Sequence, residues 1–143
     1  MKASELRIGN LLQSKDNEDI FTVINIRHDS IGCFCNIHLN HVQDGFFFEK
    51  YDFFNPIKLT EDWFFKFGFE KTEKGGVSYQ YSIGENPVTK DYIMSLIWLK
   101  NPLNPRNTKS YPFYINGYHE IKYVHQLQNL YFALTGEELE INE

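Results

Sequence analysis

The chain has 143 residues, 42% hydrophobic and 23% charged, with a formal net charge of −5, enough to bury one core in a single domain. The acidic balance and the lack of any basic run argue against a duplex nucleic-acid surface, which needs clustered Lys and Arg to displace counterions. No apolar stretch has the length of a membrane span. Glu5 and Arg7 sit where a signal peptide would be apolar, and Cys33 and Cys35 are too close for a disulfide framework, so the expectation is a reduced, cytoplasmic protein.

Aromatic residues make up 17% of the chain while alanine occurs only at Ala3 and Ala133, a bias that favours sheet over helix. Leu6–Leu12 reads as a strand bent at Gly9-Asn10. Ile20–Arg27 alternates, with Ile20, Thr22, Ile24 and Ile26 on one face and Phe21 and Val23 on the other. Ile31–Leu39 places Ile31, Cys33, Cys35, Ile37 and Leu39 on one side, and Phe46–Phe48 is a further strand. These short strands predict a small antiparallel sheet, SH3-like by analogy.

A short aromatic helix is predicted near 60–67, with Thr60 as cap, Glu61 and Asp62 in the first turn, Leu59 stapled onto Phe64 and Gly68 as the stop. Phe69–Thr72 and Val77–Ile83 flank a Gly75-Gly76 turn and read as a hairpin. Asp91–Leu99 and Tyr111–Ile115 are strand candidates. Ile121, Val124, Leu127, Leu130, Tyr131 and Leu134 fall at helical spacing and predict a C-terminal amphipathic helix near 120–134, ended by Gly136. Lys122, His125, Gln126 and Asn129 then form a solvated stripe. Glu137, Glu138, Glu140 and Glu143 read as a frayed, solvated tail. The fold class is α+β: one domain over 1–143, divisible near Pro56–Leu59 into an antiparallel sheet (1–58) and an α+β part (59–143).

Three stretches carry a resemblance. Met1–Leu11 (MKASELRIGNL), Pro56–Phe69 (PIKLTEDWFFKFGF) and Ile121–Leu139 (IKYVHQLQNLYFALTGEEL) lie at both ends and the centre of the chain. Together they resemble a family of small uncharacterised proteins of Bacteroides-type bacteria and their prophages or other mobile elements. The resemblance implies such an origin and transfers no catalytic residue, cofactor or partner.

Reactive residues are few and scattered. Cys33, Cys35, His38 and His41 are the weak metal candidates, but a C-x-C on a strand sends both thiols to the apolar face while His38 points away, so the ligands diverge. Either thiol, buried there, would be inert. His119-Glu120 followed by His125 misses the H-E-x-x-H spacing that puts two imidazoles on one helix face. Asp16–Asp19 lacks the Gly and distal Glu of a calcium loop, and no phosphate-cradling or nucleophile-elbow motif occurs. No cofactor is expected.

The loop Asn101–Ser110 carries Arg106 and Lys109, follows Trp98 and Lys100, and leads into Tyr111 and Tyr114. Cations beside aromatics suit an anionic ligand or a stacked single-stranded base. Phe46, Phe47 and Phe48 are consecutive, so alternation sends at least one of them outward, a surface for self-association or a protein partner. The favoured function is therefore non-enzymatic binding or assembly. The alternatives are an anionic-ligand or single-stranded nucleic-acid binder built on the 101–110 loop, and an enzyme using His38 or His119 as base.

Overall fold

The computed structural model describes residues 2–16, 19–35, 46–74, 78–85, 92–99, 113–115 and 119–142. It has a mixed α+β fold with two five-stranded antiparallel sheets. The chain forms two compact units, Met1–Lys58 with Tyr123–Leu130, and Leu59–Lys122 with Tyr131–Glu143.

In the first unit the strands are β1 (Leu11–Ser14), β2 (Ile20–Ile26), β3 (Ser30–Cys35), β4 (Phe46–Lys50) and β5 (Phe54–Pro56), in the order β4-β3-β2-β1-β5. A one-turn 3₁₀ helix, Tyr51–Phe53, precedes β5. The small antiparallel sheet expected from the sequence is present, as a β4-β3-β2-β1 meander with β5 added beside β1. The core gathers Leu6, Leu12, Phe21, Val23, Ile31, Cys33 and Phe54, with Phe53 and Phe54 edge-to-face at 5.0 Å.

The alternation of β2 resolves in favour of Phe21 and Val23 as the core side. The register with β3 slips between Val23 and Asn25, making Ile24 the extra residue of a β-bulge, and Ile24 is exposed. A bulge reverses the parity of the strand beyond it. Ile26 consequently packs on the same core as Phe21 and Val23, although strict alternation would put it on the opposite face. The expected strand over Leu6–Leu12 is corrected: Ala3–Glu5 forms a 3₁₀ turn, Gly9 adopts a φ of 92°, and the regular strand begins only at Leu11, although Gly9 and Asn10 already exchange backbone hydrogen bonds with Val23.

The second unit holds helix α1 (Glu61–Lys66) and strands β6 (Glu70–Lys74), β7 (Ser78–Glu85), β8 (Tyr92–Leu99), β9 (Phe113–Ile115) and β10 (His119–Ile121), ordered β10-β9-β8-β7-β6. α1 begins after Thr60, whose side chain makes no capping bond. Its end is a Schellman motif. Phe69 N–H donates to the Phe64 carbonyl at 2.9 Å and Gly68 N–H to that of Phe65 at 2.9 Å, with Gly68 at a φ of 80°. The Phe64 and Phe69 rings, 5.2 Å apart, supply the apolar contact that accompanies this motif. Leu59, Trp63, Phe64, Phe67, Phe69, Tyr81, Met94, Ile121 and Leu139 are buried.

The C-terminal helix starts later than its periodicity suggests. Glu120 and Ile121 belong to β10, paired with Tyr114 and Phe113, and helix α2 spans Val124–Thr135. Ile121 fits the helical spacing although it is buried as a strand residue of β10. α2 contributes its residues through Leu130 to the first unit and Tyr131–Thr135 to the second. Gly136, at a φ of 76°, ends it. The acidic tail is not simply frayed: Leu139 is buried and Asn142 N–H donates to the Lys66 carbonyl at 2.8 Å.

Candidate functional site

In the second unit, α1 presents alternating fates for its rings. Trp63 and Phe64 are buried, whereas Phe65 is 49% exposed. Phe64 stacks on Tyr81 at 4.6 Å, and Phe65 meets the edge of the same tyrosine at 6.4 Å, so the exposed ring rests on a fully buried one. Lys66 lies 4.6 Å over Trp63. The Asn142–Lys66 hydrogen bond brings Ile141, 40% exposed, to the same end of α1.

Beside this surface lies a polar cluster built on Glu61, Lys71 and Tyr81. The Glu61 carboxylate accepts a hydrogen bond from Tyr81 Oη at 2.8 Å and a short ion-paired one from Lys71 Nζ. Lys71 also lies 4.0 Å over the Tyr79 ring. The Lys71 bond holds the Glu61 carboxyl below its ordinary range, with Tyr81 adding to it against the cost of burial. Burial, and next the bond to Glu61, push the Tyr81 phenol well above its usual range. An ionised acid and a phenol that holds its proton tightly are poor partners for proton transfer near neutral pH. The cluster ties α1 to β6 and β7.

In the first unit the polar stripe of α2 is not solvated as its spacing predicts. His125 is 2% exposed, stacked on Tyr123 at 5.7 Å, with no hydrogen-bond partner on Nδ1 among the described residues. Burial lowers its pKa, an effect that Glu5 opposes and the N-terminal amine reinforces. Gln128 accepts from Leu11 N–H at 2.9 Å and donates to the Gly9 carbonyl at 3.2 Å. Asn129 donates to the Glu5 carbonyl at 2.9 Å and accepts from Asn10 Nδ2 at 2.8 Å. Only Lys122 and Gln126 of the stripe are exposed. These polar side chains saturate backbone that no strand reaches. A sequence pattern cannot distinguish that from solvation, since both need polar residues on one face.

Of the residues singled out from sequence, Cys33 is fully buried and burial, with Glu49 nearby, pushes its thiol up to about 12, which makes it inert as a nucleophile. Cys35 holds a place in β3 opposite Phe21. His38 and His41 lie outside the described residues, as do Lys100, Arg106, Lys109 and Tyr111. Tyr114 is placed by the backbone of β9, between Ile97 and Glu120. Among the described residues no group of three or more His, Cys, Asp or Glu is placed to hold a metal ion. Phe46 and Phe47 pair with Phe34 and Cys33 along β4, and Phe48 is half-buried under the Arg27 guanidinium, 3.7 Å from the ring centre. Sequence reasoning placed the exposed aromatic surface at Phe46–Phe48 and missed Phe65, because the three consecutive aromatic residues Trp63, Phe64 and Phe65 carry no signal for which of them the sheet leaves open.

Comparison with known proteins found no matching family model, no matching curated protein and no matching solved structure.

Proposed function

We propose that this chain is a non-enzymatic binding or assembly protein, of prophage or other mobile-element origin, that works by protein contact through its second unit. The observation that supports this reading is Phe65, a large ring 49% exposed yet seated against buried Tyr81. A rigid, partly exposed aromatic carries binding energy efficiently, since little side-chain entropy is left to lose on contact. Ile141 adds apolar area at the same end of α1, and Leu134, 58% exposed, a further apolar side chain in that unit. The Glu61–Lys71–Tyr81 cluster next to Phe65 has the character of a brace between α1 and the sheet. The protein's place of action in this reading is the cytoplasm; no helix among the described residues is long and apolar enough to cross a membrane.

The test is sedimentation over a wide protein concentration range, with Phe65→Ser beside the wild type. The wild type should form a defined oligomer, and the substitution should weaken it roughly ten-fold or more. A wild type that stays monomeric throughout, or an oligomer indifferent to Phe65→Ser, overturns the reading.

A further inference from the structure

We propose that the outer edge of β6 pairs with β6 of a second copy of this chain, antiparallel, about a two-fold axis at Thr72. This rests on the association reading above and names its partner. β6 ends the strand order of its sheet, and among the described residues no strand pairs with its outer edge. Glu70, Lys71 and Thr72 are exposed. An open edge presents a row of backbone donors and acceptors that another strand satisfies directly.

The strand reads Glu70-Lys71-Thr72-Glu73-Lys74, which is self-complementary. A two-fold axis at Thr72 sets Glu70 opposite Lys74 of the second copy and Lys71 opposite Glu73, so every charged position faces its opposite. Neighbouring registers lack this property. A two-fold perpendicular to the sheet leaves each side chain on its own face, and directly opposed residues share a face, so the axis passes through a residue position and never between two. Axes at Lys71 or at Glu73 oppose that residue to its own copy. Directly opposed like charges destabilise a strand pair, so the pattern rejects each of these registers and admits one. Charges on an edge strand ordinarily keep other strands away; here the repulsion has a single exempt register, reached only by the same sequence running backwards.

The geometry of the unit agrees. Lys71 faces Tyr81 across the β6–β7 ladder, and Tyr81 supports Phe65, so the exposed ring lies one strand from the edge. Pairing there would continue the five strands of each copy as one sheet, and an isologous contact of this kind closes at two copies.

Two single reversals test it: Glu70→Lys and Lys74→Glu, each examined by sedimentation alone and in equimolar mixture. Each alone sets like charges opposite one another twice per dimer and should raise the dimer dissociation constant roughly ten-fold or more. The mixture sets each reversed position against its complement and should restore a heterodimer of near wild-type affinity, which also shows that both variants are folded. If both variants dimerise like the wild type, or the mixture associates no better than either alone, the edge is not the interface, while the Phe65 test still decides whether the protein associates. A monomeric wild type removes premise and proposal together.

Discussion

Replacing Gln128 by leucine removes the side-chain amide that closes the backbone at residues 9–11. β5 reaches only to Pro56, opposite Leu12, so the ladder on that side of β1 stops there. Gln128 takes the place of the missing strand, accepting from Leu11 N–H at 2.9 Å and donating to the Gly9 carbonyl at 3.2 Å. Leu11 is 5% exposed and Gly9 half-buried. A buried backbone group left without a partner costs about 1–3 kcal/mol. Leu11 N–H pays near the upper part of that range, and the Gly9 carbonyl less because water reaches it. Extra apolar burial by the leucine offsets about 1 kcal/mol, leaving a net loss of about 2 kcal/mol. Urea unfolding followed by circular dichroism measures that loss, and hydrogen exchange locates it, with the Leu11 amide exchanging faster in the variant. A loss below about 0.5 kcal/mol, with Leu11 protection unchanged, would refute the argument that this side chain substitutes for a strand.

Phe64→Ala empties a fully buried site between Phe69 at 5.2 Å and Tyr81 at 4.6 Å, and thermal unfolding should show a loss of about 3–5 kcal/mol. His125 carries a pKa below its ordinary 6.5 because it is buried, so the unfolded chain binds a proton that the native one refuses. Its contribution is intact above about pH 6.5 and lost as pH falls below that value. Urea midpoints at pH 7.5 and pH 5 should therefore fall more steeply for the wild type than for His125→Phe. Gly136→Ala meets nothing within 4 Å and should cost only the left-handed backbone penalty of about 1–2 kcal/mol, whereas Gly68→Ala also drives a Cβ into the Asn142 side chain and should lower Tm further. Cys33 should resist iodoacetamide at pH 8 until denaturant is added, read as site-resolved mass increments, because burial holds its thiol near 12.

Much of the fold was legible wherever local pattern and tertiary burial agree. The Thr60–Gly68 helix, the hairpin either side of Gly75-Gly76, and the strands over Ile20–Arg27 and Phe46–Phe48 all emerge near their expected places, since period-2 alternation and a positive-φ glycine act over a few residues. The β1–β4 meander is what short strands joined in sequence form, whereas the return of β5 to the far side of β1 is a non-local pairing that no local pattern announces. The candidate surface was hardly legible. Whether Phe64 or Phe65 is covered turns on which face of a two-turn helix meets Tyr81, seventeen residues beyond Phe64, and no periodicity in six residues encodes that.

By itself the sequence determined the fold class, the aromatic cores, the glycine stops of α1 and α2, and the self-complementary charges of β6, because each depends on residue type and short-range spacing. Tertiary structure alone decided what the polar residues are for. His125 and Asn129 look solvated on a helical wheel; instead His125 is buried, and Asn129, together with Gln128, is drawn against backbone at residues 5–11, some 120 positions earlier in the chain. The physical reason is that a buried peptide group must find a partner wherever the fold leaves it without one, and that demand is set by where β5 stops and not by anything within the helix.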